Sequence, residues 1–252
     1  MIEPEALAGI NSVTARLAQG NPGLQRLLVR RGSLSARLQA VCELAGERGC
    51  PVVKVDEAEL DRASSVVHQG VILFVDAPVP RDERLLDDLF AAGKGAENAR
   101  LFLILDGVTD PRNLGACLRS AATQGVDAVI VPRDNSASLT QAAIKTASGG
   151  ASIVPLVTVV NLARCLEKLK RENVWIVGTA LEAEQPLDTI DLCGDIAVVL
   201  GSEDKGIRRN TARHCDYLAR IPMNNDALGF NVSVAAGICL YEVQRQRRHR
   251  SA

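Results

Sequence analysis

Apolar residues along this chain fall into short continuous runs separated by stretches with helical spacing. The runs LFLILD (101–106), VDAVIVP (126–132), IVPLVTV (153–159), VWIVGTAL (174–181), DIAVVLG (195–201) and YLARIPM (217–223) read as strands. Uninterrupted apolar strands between helices predict an α/β fold with a mostly parallel sheet and helices on both faces. In such sheets ligands bind beyond the carboxyl ends of the strands, so the residues just after these runs are the ones to inspect.

Nearer the N-terminus, LQRLLVR (24–30), PVVKV (51–55) and GVILFV (70–75) alternate with helical spacing in SLSARLQAVCELAGERG (33–49) and EAELDRAS (57–64), which predicts a smaller α/β unit. The stretch between the two regions mixes Pro, Gly and charge around a short amphipathic middle. The expected organisation is a small domain over 1–76, a linker over 77–98 and a larger domain over 99–252.

Composition narrows the function classes. Aromatic residues make up only 3% of the 252 residues, so stacking of bases on aromatic rings is not the main recognition device, and a net charge of -1 argues against bulk electrostatic capture of nucleic acid. A local basic patch remains open at Arg245, Arg247, Arg248 and Arg250, where a solvated helix end favoured by the helix dipole explains the charge equally well. The cysteines are 7, an odd number, and none are spaced as Cys-x-x-Cys, so neither a disulfide framework nor a metal site is expected. The start MIEPEALAGI lacks a basic and an apolar signal region, and no apolar run reaches the roughly 18 residues of a membrane span. The expectation is a cytoplasmic protein with no membrane segment and no metal.

Three segments carry candidate chemistry. In LDGVTDPRNLGACLRSA an apolar strand runs into a turn and then a helix, with Asn113 placed to cap it and Arg119 within the next two turns. A cap and a surface charge would explain both. In VVLGSEDKGIRR a strand ends at Gly201 among small residues that let backbone approach a ligand, and Glu203 is either a site carboxylate or a helix-entry charge. In IPMNNDALGFNVSVAAGICLYE, Asn231 or Ser233 can cap a helix whose Ala235, Ala236 and Gly237 suit close packing. Neither a Rossmann Gly-x-Gly-x-x-Gly nor a P-loop occurs, which removes the usual sequence support for hydride transfer to a dinucleotide and for P-loop phosphate chemistry. A cysteine nucleophile would normally follow proline. Cys117 and Cys239 lie instead in helical patterns and read as packed thiols, and His68 reads as structural.

Taken in this order at these strand ends, PRNLGACLRS, VLGSEDKGIRR and IPMNNDALGFNVSVAAGICLYE resemble the three motifs of the SpoU/TrmH (SPOUT) family of RNA ribose 2'-O-methyltransferases. The likeness covers nearly all of the chain. Within the family the chain is most similar to members that methylate a guanosine of 23S rRNA, on the strength of LILDGVTDPRNLGACLRSA and VWIVGTA. The resemblance implies S-adenosylmethionine as cofactor, a C-terminal trefoil knot, and a small L30e-like RNA substrate-binding domain ahead of the catalytic one. It places the cofactor on Thr179, Ala180, Leu200, Gly201, Ile221, Met223 and Phe230, and the chemistry on Asn113, Arg119, Glu203 and Asn231. Glu203 is expected to orient Arg119 or the ribose. The implied partners are 23S rRNA or a large-subunit precursor and a second copy of the chain, with Val234 to Val243 partly in a homodimer interface. Alternatives are the same chemistry on tRNA, or an RNA-binding assembly protein that has lost turnover. One departure stands out: Gly229 and Phe230 occupy positions where the family usually has Ser-Leu before Asn-Val-Ser.

Overall fold

The computed structural model describes residues 4–20, 23–64, 66–93, 99–225 and 229–250. Residues 94–98 of the expected linker and 226–228 of the third motif lie outside these. The chain divides into two compact units, Met1–Pro78 and Val79–Ala252.

In the first unit, β1 (Glu5–Ala8), α1 (Ile10–Ala18), β2 (Leu24–Arg30), α2 (Ala36–Glu47), β3 (Val52–Val55), α3 (Glu57–Ala63) and β4 (Val71–Val75) follow in order. The sheet runs β1-β4-β2-β3, with β4 antiparallel to both neighbours and β2 parallel to β3. Leu27, Val71, Leu73 and Val75 pack on one face against Val13 and Leu17 of α1 and Leu38 and Val41 of α2. The other face meets α3 through Leu60. His68 is buried, accepts from the Gly70 backbone N–H at 3.0 Å on Nδ1 and meets Asp61 at 3.1 Å through Nε2. Both ring nitrogens are therefore engaged in structure, as the sequence suggests.

The second unit opens with α4 (Arg84–Ala91), which lies inside the stretch expected to be a plain linker. Its Leu86 is fully buried against the sheet, because the short amphipathic middle of that stretch has an apolar face to cover. The order continues β5 (Leu101–Asp106), α5 (Pro111–Thr123), β6 (Ala128–Pro132), α6 (Gln141–Ala147), α7 (Gly150–Ile153), β7 (Leu156–Val159), α8 (Leu162–Arg171) and β8 (Trp175–Thr179). It ends β9 (Gln185–Pro186), β10 (Ile196–Gly201), α9 (Arg209–Ala212), β11 (Tyr217–Arg220) and α10 (Val232–Arg250).

These strands form a seven-stranded sheet in the order β7-β6-β5-β10-β8-β11-β9, and every pairing among the described residues is parallel. Helices α5, α6, α7 and α10 cover one face and α4 and α8 the other, which is why β5, β6 and β10 are buried on both sides. The four strands whose ends carry the candidate segments, β5, β10, β8 and β11, are neighbours in the sheet. Parallel strands put all four carboxyl ends on one edge.

Candidate active site

Each candidate side chain is held by a local device. Helix α5 begins after Asp110, whose carboxylate accepts from the Arg112 N–H at 2.8 Å, with Pro111 in the first turn where its missing N–H costs nothing. Asn113 is therefore not the cap expected from sequence: Asp110 competes better from an extended conformation, and Asn113 sits in the first turn with its amide free to reach across. Glu203 stands on a tight loop closed by two bonds, Ser202 N–H to Gly206 C=O at 3.2 Å and Gly206 N–H to Ser202 C=O at 2.8 Å. The base of this loop tolerates no side chain, since a Cβ on Gly201 would lie 1.9 Å from the Gly206 carbonyl carbon. Asn231 caps α10, accepting from the Ser233 N–H at 2.9 Å and from its hydroxyl at 2.6 Å.

The three segments meet in one network. Asn113 Nδ2 donates to Glu203 Oε1 at 3.2 Å, and Asn231 Nδ2 donates both to Asn113 Oδ1 at 3.1 Å and to Glu203 Oε1. The Val232 N–H, at the positive end of α10, also points at Glu203 Oε1 at 3.4 Å. One carboxylate oxygen thus collects donors from two motifs, and the Asn231 amide is satisfied at both ends.

Arg119 does not join this network. It lies six residues beyond Asn113, which on an α-helix is about 9 Å along the axis and about 120° around it. Its guanidinium is exposed, donates to Ser148 Oγ at 3.5 Å and makes no ion pair among the described residues. Of the two partners expected for Glu203, Arg119 or the ribose, Arg119 is not bonded to it among the described residues; Glu203 accepts instead from the two asparagines. The backbone beneath Arg119 is fixed by α7, which begins so close that a Cβ on Gly150 would lie 2.9 Å from the Arg119 Cα.

Beside Glu203 opens a cleft of about 340 Å³ at the carboxyl ends of β8, β10 and β11. Thr179, Ala180, Leu200, Gly201, Ile221, Met223 and Phe230 all line it, as does Glu203. Leu181, Leu218 and Phe230, which sequence patterning alone does not mark as a set, leave 56%, 40% and 41% of their surface exposed around it. Exposed apolar side chains gathered on one concavity suit a flat apolar ligand group. Its ionisable lining is three carboxylates, Glu182, Glu203 and Asp204, against one ammonium, Lys205, so the cleft favours a cation over a phosphate.

Asp106, fully buried at the end of β5, was not singled out by sequence, and it accepts from Arg208 at three donors: backbone N–H at 3.0 Å, Nε at 2.6 Å and Nη2. A charged residue closing an otherwise apolar strand was the available signal. Cys117 and Cys239 are packed in the core, where burial first, and Glu203 as a lesser influence on Cys117, push their thiols up to about 12. That makes them poor nucleophiles. The small face of α10 packs within the same unit, with Ala236 buried in the core and Gly237 beside Ser120 of α5.

Residues 100–241 match the SpoU rRNA Methylase family, and residues 6–80 match the RNA 2'-O ribose methyltransferase substrate binding family. Among similar proteins, the 23S rRNA (guanosine-2'-O-)-methyltransferase RlmB of Pseudomonas aeruginosa is 45% identical over 247 residues, 98% of each chain. The crystal structure of an RNA 2'-O ribose methyltransferase superposes with a TM-score of 0.66 at 28% identity, covering 98% of this chain and 90% of that one. The fold is shared with the SpoU methyltransferase AviRb from Streptomyces viridochromogenes, solved in complex with AdoMet, at a TM-score of 0.67 and 22% identity over 98% of this chain and 92% of that one. With a family match over more than half its length and a relative this similar from end to end, the chain belongs to the SpoU rRNA methylase family.

Proposed function

We propose that this chain is an S-adenosylmethionine-dependent methyltransferase acting on the ribose 2'-hydroxyl of a guanosine in 23S rRNA. The observation that carries the reading is Glu203, gathered by Asn113 and Asn231 at the rim of a net-negative, partly apolar cleft, in a chain so similar to a 23S rRNA guanosine 2'-O-methyltransferase. The cleft fits the cofactor: Leu181, Leu218 and Phe230 offer apolar contact to a nucleoside, and the surplus of carboxylates suits a positively charged sulfonium. Thr179, Ala180, Leu200, Gly201, Ile221, Met223 and Phe230 would hold it. When bound, the cofactor supplies an electrophilic methyl group.

The chain's own task is to present a poor nucleophile. A ribose hydroxyl has to be aligned and its developing negative charge stabilised. Arg119 does the second, holding the phosphate beside the target ribose and facing the nascent alkoxide with a fork of N–H donors that carries no acceptor atom. The hydroxyl proton leaves to phosphate or water. Glu203 does the first: its three bonds among the described residues fall on Oε1, and Oε2 accepts from the ribose.

The finer parts of the reading rest on the family. The first unit is an L30e-like rRNA-binding domain. The second carries a trefoil knot, as the resemblance to the family implies. The chain works in the cytoplasm as a homodimer, with the half-exposed Val234 and Tyr241 of α10 at the interface. Incubation with labelled cofactor and separate rRNA and tRNA pools tests the proposal. Label in 2'-O-methylguanosine of 23S rRNA supports it, label confined to tRNA moves the activity there, and absence of cofactor binding favours a non-catalytic assembly protein.

A further inference from the structure

The pair of buried Asp106 and part-exposed Arg208 has no place in the chemistry above, yet it sits where two motif loops part. Asp106 pairs in register with Gly201 across β5 and β10, and its side chain, 0% exposed, accepts from the backbone and guanidinium of Arg208. Both ends of the segment 201–208, with Glu203 on it, are therefore tied to one residue. The same residue leads through Gly107, at φ 88°, to the turn that starts α5 and presents Asn113. The two partners of the Asn113–Glu203 hydrogen bond thus stand on loops anchored at a common point.

We infer that Asp106 and Arg208 are positioning residues, an ionic anchor on a buried carboxylate that sets Glu203 at bonding distance from Asn113 and Asn231. Ionic hydrogen bonds suit this task because they are short and directional, and a carboxylate sealed from water has no solvent donor competing for its oxygens. The exposed part of the Arg208 side chain makes Arg208 the safer member to alter. Arg208→Gln removes the charge but keeps the backbone N–H that bonds Asp106.

This inference rests on the methyltransferase reading for its activity arm, but its geometric arm does not. In full-length Arg208→Gln, the amides of Ser202 and Gly206, which close the loop, should exchange with deuterium at least about 10-fold faster than in the wild type. Turnover should fall about 30-fold, with KM for rRNA and Kd for cofactor within about 3-fold, and Arg208→Lys should recover part of the loss. If the pair acts through Glu203, Arg208→Gln in a Glu203→Ala background should cost less than about a further 2-fold. Unchanged exchange at Ser202 and Gly206, additive losses in the double variant, or global unfolding of both Arg208 variants would each overturn the inference. An inactive wild type would sink the proposed function instead, and the exchange arm would still decide this one.

Discussion

Asn231 offers a way to separate the two jobs that its side chain performs. Its Oδ1 caps α10 through Ser233, and its Nδ2 donates to Asn113 and Glu203. Asn231→Ala removes both functions: loss of the cap should cost about 1 kcal/mol of stability, and loss of a bond to a charged carboxylate about 1.5 kcal/mol or more of site organisation. Asn231→Asp keeps an oxygen for the cap and adds a charge that the helix N-terminus favours, so the contribution of the cap itself should be kept. It also places a carboxylate against Glu203. At about 3 Å, near the surface, that repulsion is on the order of several kcal/mol before solvent screening and relaxation, enough to drive Glu203 from the asparagines. Urea denaturation together with methyl transfer to rRNA reads both effects. The account expects Asn231→Ala to lose stability and turnover, and Asn231→Asp to lose about 10- to 100-fold in turnover while keeping the part of the stability that the cap supplies. Full activity in Asn231→Asp would refute the reasoning, because the amide donors would then be dispensable.

Other outcomes follow from the same geometry. Gly201→Ala forces a Cβ into the Gly206 backbone and should abolish cofactor binding, measured calorimetrically, with about 1–3 kcal/mol lost from stability by overpacking. Gly229→Ser restores the family's usual residue, and among the described residues its Cβ meets only Leu181 Cδ1, at 3.9 Å; thermal melting should stay within about 2 °C of the wild type and turnover should not fall. Glu242 is held below the usual carboxylate range chiefly by hydrogen bonds from Arg245, and further by one from Gln246, against an opposing effect of burial. A depressed folded value stabilises the fold above the unfolded value of about 4.3 and is lost as pH falls through the folded one. The gap in Tm between wild type and Glu242→Gln should therefore be open at neutral pH and close as the pH drops below about 4.

Strand positions were legible because burial on both faces leaves continuous apolar runs, and β5, β6, β8 and β10 each lie within a run read from sequence. Two strands escaped: β1, only four residues long, and β9, two residues held by pairing to β11 and not by any pattern of its own. Helix α4 was hidden in a stretch rich in linker residues, and its identity depends on tertiary burial of Leu86. At the site, the motifs placed Asn113, Glu203 and Asn231 on neighbouring strand ends, but spacing carries no information on which side chain bonds which. That Asp110 caps α5 in place of Asn113, and that the asparagines bond Glu203, depends on the three-dimensional placement of these side chains. The Asp106–Arg208 pair spans positions far apart in the chain, beyond the reach of any local pattern.

The most direct test of the central claim is a transcriptome-wide map of ribose methylation in cells carrying the wild-type protein, lacking it, or carrying Arg119→Ala. The account predicts one guanosine in 23S rRNA that is 2'-O-methylated with the wild type, and unmethylated both without the protein and with the variant, while the purified variant binds cofactor nearly as well as wild type. A 23S rRNA methylation pattern identical in all three strains, or a guanosine still methylated at its ribose by Arg119→Ala, would contradict it.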